Sequence, residues 1–294
     1  MILMFIGRIV EARESLDRAA EIFGASDEDD RLAARAAGQD AGVAMLVLKA
    51  WVLWLLGQVD TAVACMAEAL KRADVLSHAH TQAYAWYYAA ILHGLRGELE
   101  LAQKYAERCL AISEQHEFRQ WLGLSRAIRD ICIVLLGRSA SQLDEARASL
   151  QDYQRAGYQL GLTAQFVLLC PVLLLCKESE IALEVIEHGL SIADRNSERF
   201  FEAELYRLKA RTLLGRGAPE AEVEALLEQA LRTARGQQAR SLELRAATDL
   251  AGLWLDHGKR AEARDVLSSI YARFGEGMDT RDLKEASAVL ARMQ

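Results

Sequence analysis

Apolar side chains return along this chain at helical spacing. Trp51, Trp54 and Leu55, then Tyr84, Tyr87, Tyr88 and Ile91, then Leu124, Ile128, Ile131 and Leu135 each fall on one face of a 3.6-residue period. Between these runs lie segments in which an apolar stripe alternates with charge, as in Lys104, Glu107 and Arg108. Period-2 alternation with β-branched residues is missing, so no strand is predicted. A second regularity punctuates the helices: a Gly, five residues on an Ala, and seven further on a residue that is usually small. It appears as Gly7, Ala12, Ala19; Gly57, Ala62, Ala69; Gly97, Ala102, Cys109; and Gly258, Ala263, Ile270. Weaker copies carry Ala146 with Tyr153, Ala182 with Gly189, and Val223 with Ala230.

The middle markers fall at 12, 62, 102, 146, 182, 223 and 263, about one helical hairpin per interval. Physically, the Gly ends one helix where the backbone needs φ > 0, and two small residues seven apart on the next helix let a neighbour approach closely. The pattern predicts an all-α, right-handed α-solenoid of about seven hairpins, each an A helix, a tight turn and a B helix. Thirteen full helices are expected, preceded by the end of a truncated one at Met1 to Ile6. One superhelical domain spans 1–294, its N-terminal end falling within a repeat, and 275–294 forms a C-terminal capping helix from about Thr280. Ala218-Pro219-Glu220 reads as a helix start, whereas Pro171 inside Phe166 to Leu175 predicts a kink. The lone B helix from Gly7 to Phe23 lacks its partner, so either further repeats upstream or a homo-oligomer formed through this end is expected. The acidic run Asp27 to Asp30 is read as a solvated loop because the ligand series of a calcium loop is missing.

Gly, Ala and a small residue at this spacing resemble the tetratricopeptide repeat, with a period nearer 40 than 34. Longer phrases narrow the resemblance: Gly38-Gln-Asp-Ala-Gly-Val-Ala44, Glu202-Ala-Glu-Leu-Tyr-Arg-Leu-Lys209, Gln237-Gln-Ala-Arg-Ser-Leu-Glu-Leu-Arg-Ala-Ala247, Gly258-Lys-Arg-Ala-Glu-Ala-Arg264 and Glu276-Gly-Met-Asp-Thr-Arg-Asp-Leu-Lys-Glu-Ala286. They look like the C-terminal helical-repeat region of bacterial class III adenylate/guanylate cyclases and predicted AAA-type ATPases. The resemblance implies a regulatory module of a signalling system whose partners include upstream cyclase or ATPase domains of a longer chain. Those catalytic domains are not in this sequence, so their activities are not carried over.

Charge and chemistry point the same way. With 42 acidic and 35 basic side chains the formal charge is −7, which argues against a nucleic-acid surface. Five scattered cysteines without Cys-x-x-Cys read as free thiols of a reducing compartment, and with no export signal a cytoplasmic location is expected. Gly252 to Gly258-Lys259-Arg260 has the wrong spacing for a phosphate loop, and Gly123-Leu-Ser125-Arg-Ala127 lacks the second Gly of a nucleophile elbow. His78 and His80 are two apart, which suits capping or surface roles better than a metal pair. No enzyme activity, cofactor or metal is expected, and a protein or peptide partner is.

In the tetratricopeptide register, with the terminating Gly at position 15, groove-facing side chains include Trp51 and Trp54, then Tyr84, Tyr87 and Ile91. Two readings stand: these rings form an exposed aromatic patch on the concave face, or the longer period twists them between repeats as core. Arg126, Arg129 and Asp130, with Arg207 and Arg211, are charges inside otherwise apolar A helices. Either Arg126 and Asp130 pair at i, i+4, or Arg126 and Arg129 supply charge beside the aromatic patch for an anionic ligand or a partner's carboxylate tail. The first functional reading is a concave groove that docks a partner protein; the second is a sensor that closes around a small molecule or peptide.

Overall fold

The computed structural model describes residues 1–25, 38–137, 139 and 141–293. The acidic run Asp27 to Asp30 lies outside the described residues. Among those described, fifteen helices follow one another without a strand. They are α1 (Ile2–Phe5), α2 (Ile9–Ala25), α3 (Ala41–Leu55), α4 (Val59–Leu76), α5 (Ala79–Arg96), α6 (Leu99–Gln115), α7 (Arg119–Leu135), α8 (Gln142–Arg155), α9 (Leu162–Leu175), α10 (Ser179–Asn196), α11 (Glu202–Gly215), α12 (Glu220–Gln237), α13 (Arg240–Asp256), α14 (Arg260–Tyr271) and α15 (Arg281–Ala291). None is long and apolar enough to cross a membrane.

Odd-numbered helices from α3 onward form an inner layer and even-numbered ones an outer layer. Every residue of α5 from Ala83 to Leu95 is buried, the mark of a helix enclosed all round. Its hairpin partner α6 buries only the stripe Ala102, Ala106, Cys109, Leu110 and Ser113. Each inner helix touches the next, and α5 also meets α9, while α3 meets α13. The recurring glycines Gly7, Gly57, Gly97 and Gly258 all have positive φ, as their pattern predicts. Gly97 shows why: it ends α5 at φ 81, where its N–H reaches the carbonyls of His93 and Gly94.

Helix starts are held by side chains from far away as well as by neighbours. Asp40 caps α3 by accepting from the Val43 N–H at 2.8 Å, and His78 Nδ1 caps α5 at Thr81. The start of α9 is capped by Glu198, which accepts from the N–H groups of Gly161 and Thr163 at 3.0 and 3.1 Å and from the Thr163 hydroxyl. Pro219 stands one place earlier than the sequence predicts, as the N-cap of α12. Helix α9 runs without interruption from Leu162 to Leu175 through Pro171, whose ring is exposed on its inner side.

The superhelix closes on itself. The backbone N–H groups of Arg199 and Phe200 donate to the Phe5 carbonyl at 2.6 and 3.2 Å, and the Gln237 amide donates to the Arg199 carbonyl at 2.8 Å. The Ser241 hydroxyl donates to the Trp54 carbonyl, and Arg245 to that of Leu95. Farther along, Glu276 caps α4: its carboxylate accepts from the N–H groups of Asp60 and Thr61 at 3.0 and 3.1 Å and from the Thr61 hydroxyl at 2.8 Å. The Gly277 N–H returns a bond to Asp60 Oδ2 at 2.8 Å. The open apolar side predicted for the N-terminal end is therefore partly covered: Met4 and Phe5 are buried, with the Phe5 ring 4.9 Å from that of Phe200.

This clasp depends on the bare backbone at Gly277, where φ is 77 and a Cβ would stand 2.0 Å from Val59 Cγ2. Gly277→Ala is expected to lower stability by about 1–3 kcal/mol through overpacking and backbone strain. A shift of the urea midpoint measures it, and an unchanged midpoint would show that the clasp does not hold the ring.

Candidate functional site

The predicted aromatic patch is not at the surface. Trp51 and Trp54 are 2% and 1% exposed, and Tyr84, Tyr87 and Ile91 are equally enclosed. The cause is a pair of rings from the connection between α10 and α11. Phe200 and Phe201 enter the concave side and meet Trp51 at centroid distances of 6.0 and 6.1 Å, and Phe201 meets Trp54 at 6.3 Å. Tyr88 completes the cluster edge-on to Trp51 at 5.3 Å, and Trp121 packs against Tyr87 at 5.1 Å. Burial lifts the hydroxyls of Tyr84 and Tyr87 well above the usual tyrosine range, so both stay neutral. The chain's own Phe200 and Phe201 pack against the rings expected to receive a partner.

Two of the predicted arginines are also elsewhere. Arg126 is exposed and pairs with Glu114 at 3.2 Å, and Arg129 takes Asp130 at 2.8 Å, so the expected pair between Arg126 and Asp130 is replaced by adjacent residues. Neither arginine accompanies the aromatic cluster.

A cleft of 330 Å³ opens between α9, α11, α13 and α15. Pro171 and Leu175 form its apolar wall, and Arg207, Arg211, Arg245 and Arg281 reach it from three helices. At its base, Glu204 is 2% exposed and holds two arginines. Arg207 donates to its two oxygens at 2.8 and 2.7 Å, and Arg245 adds a bond at 3.1 Å. Arg207 also reaches Asp249 at 2.6 Å, and Arg245 reaches Asp282 at 2.7 Å while lying 5.2 Å above the Trp54 ring. Burial alone would raise the Glu204 carboxyl, but the fields of Arg207 and Arg245 outweigh it and hold it down at about 2.

The rim differs from the base. Arg211 and Arg281 are about half exposed, and their carboxylate neighbours stand off: 3.9 Å to Asp249 for Arg211, and 3.6 and 3.8 Å to Asp282 and Glu285 for Arg281. Arg281 is depressed below the usual arginine range by partial burial and then by the neighbouring Arg245 charge. Two fixed guanidinium groups thus lie beneath two loosely held ones, a geometry suited to binding an anion. Thr248, the hydroxyl in the cleft, donates to its own helix at Leu244 O.

Among the described residues, no group of three or more His, Cys, Asp and Glu side chains is placed to hold a metal ion. The five cysteines are free, with Cys109, Cys132 and Cys170 buried and Cys65 and Cys176 half-buried. Burial pushes the Cys109 thiol up to about 11 and Cys132 to about 12, away from nucleophilic character. His80 accepts from the Trp121 indole at 3.3 Å.

Comparison with known proteins agrees with this architecture. Residues 43–74, which cover most of α3 and α4, match the tetratricopeptide repeat family. An uncharacterized protein of Rhizobium meliloti (strain 1021) is 24% identical over 229 residues, 76% of this chain and 22% of that protein. The chain thus spans about a fifth of the length of this curated relative. Among solved structures, the apo form of RapI superposes with a TM-score of 0.54 at 15% identity, covering 97% of this chain and 93% of its own. The complex of the TPR2AB domain of yeast Sti1 with pHSP90 gives a TM-score of 0.35 at 13% identity, covering 98% and 92%. The fold is an α-solenoid of tetratricopeptide type.

The arginine cleft was half visible in the sequence. Arg207 and Arg211 stood out as charges inside an A helix, whereas Arg245 and Arg281 lay inside quoted phrases without a signal that they would meet them.

Proposed function

We propose that this chain is a non-enzymatic docking module that takes an acidic segment of a protein partner into the arginine-lined cleft. The observation that carries this reading is the pair Arg211 and Arg281 at the rim, half exposed and loosely paired above two buried arginines. Repeats of this kind work through their concave surfaces, and here the cleft opens on that side beside the self-filled aromatic cluster. A setting in a cytoplasmic bacterial signalling protein, with cyclase- or ATPase-type domains elsewhere in a longer polypeptide, is supported by the quoted phrases and by the greater length of the Rhizobium relative. Met1 and Ile2, exposed at the N-terminal end, are the surface proposed for self-association.

Fluorescence anisotropy with a labelled Asp/Glu-rich peptide bearing a free C-terminus tests the reading on the full chain. Saturable binding is expected, weakened about tenfold or more in the double variant Arg211→Ala, Arg281→Ala. Equal affinity in that variant would reject the cleft. The sensor reading is favoured by the distant clasp between Glu276 and the start of α4, which a ligand in the ring could release. A small molecule at about 100 times its Kd should then add about 2.7 kcal/mol of stability.

A further inference from the structure

A second basic site lies outside the inner cleft, where the turn between α12 and α13 meets the end of α14. It is an open depression of 570 Å³ on which Arg235, Arg240 and Arg273 converge around Glu243. We infer that this depression binds a phosphate dianion.

Glu243 is 6% exposed and is shared by two guanidinium groups, one from the last turn of α12 and one from the turn that follows α14. Arg235 donates to Oε1 through Nε at 3.0 Å, and Arg273 donates to Oε2 through Nη2. Each therefore keeps other N–H groups for a ligand, since a guanidinium carries five in a planar fork. Arg240, the first residue of α13, is exposed and has no ion pair among the described residues. The base of its stem lies beside Gly57, where an added Cβ would stand 3.1 Å from the Arg240 Cβ.

Three positive groups against one carboxylate leave a local charge of +2 on a chain whose formal charge is −7. That excess matches a dianion. A carboxylate is planar and carries one charge, so a single guanidinium satisfies it. The tetrahedral oxygens of a phosphate group call for donors from several directions, which is how three arginines from separate elements are arranged here. The Gln238 amide at the edge of the depression adds a neutral donor. Glu243 has the role of a positioning residue, holding Arg235 and Arg273 apart with their free edges outward.

The shared chemistry has two sources, a phosphorylated serine or threonine of a polypeptide and free phosphate. Isothermal titration of the full chain at fixed ionic strength, with inorganic phosphate and with a phosphoserine peptide beside its unphosphorylated form, separates them. Saturable binding is expected for at least one phosphate probe and none for the unphosphorylated peptide. Tenfold tighter binding of the phosphopeptide assigns the site to a modified chain, and equal affinities assign it to free phosphate. Arg240→Ala removes no ion pair, so it should keep the wild-type melting temperature while weakening the phosphate probe about tenfold. The double variant Arg211→Ala, Arg281→Ala should leave that binding unchanged, which keeps this test separate from the peptide test of the inner cleft. Absence of saturable binding to both phosphate probes, or binding that survives Arg240→Ala but is lost in the cleft variant, would overturn the inference.

Discussion

Trp51→Ala is expected to lower the unfolding free energy by about 3–5 kcal/mol, the range for removing a buried tryptophan. The ring is 2% exposed and touches Tyr88 on its own side of the groove and both Phe200 and Phe201 on the other. Its indole N–H also donates to the Tyr88 carbonyl at 3.2 Å, so alanine removes that bond as well as leaving a cavity. Urea unfolding followed by circular dichroism measures the loss. A fall of less than about 1 kcal/mol would return Trp51 to a surface role, because only a collapsing or solvated site accommodates so large a deletion cheaply.

Glu204→Gln should be comparably severe, costing about 3–5 kcal/mol, because it leaves Arg207 and Arg245 buried without their shared counter-charge. The same carboxylate gives the fold a dependence on acid. Its folded value is about 2 against an ordinary 4.5, so its contribution is complete above pH 4.5 and is lost as pH falls towards 2. Glu198 has the opposite sign. Burial raises it despite its three donors, so its contribution is complete below its unfolded value and is lost as pH rises through the folded one. Unfolding profiles should therefore flatten between pH 2 and 4.5 in Glu204→Gln, whereas Glu198→Gln should alter the profile only above pH 4.5, where the stability that this carboxyl takes away with rising pH is no longer lost. A Glu204→Gln profile parallel to wild type would mean that the buried network does not stabilise the folded state.

The period of the chain was legible because local rules govern it. A glycine at positive φ ends each of several inner helices, and small residues seven apart mark the outer ones, so hairpin boundaries follow from neighbours in sequence. Turns from an outer helix to the next inner one were harder to read. Ser77, Glu117, Ser197 and Gln238 occupy the left-handed region there with φ between 51 and 57, and no glycine announces them. The burial of Trp51 and Trp54 was not legible, since both readings fit a helical apolar stripe. What decides between them is the arrival of Phe200 and Phe201 from the far side of the ring, a matter of superhelical pitch. Arg129 took Asp130, a pairing that helical spacing does not announce because adjacent residues do not share a helix face.

Ring closure changes how such a chain should come apart. An open solenoid behaves as a row of nearest-neighbour units that can fray from either end. Here Ser241 is bonded to Trp54 across 187 positions and Glu276 to Asp60 across 216, so the last hairpins are structural neighbours of the second. Forming these contacts requires a long loop to close, which slows folding relative to a chain with only local contacts. Once formed, they couple the first repeats to the last, and loosening either end exposes the shared aromatic cluster. The repeats then unfold as one cooperative body, without the stepwise melting their repetitive sequence implies.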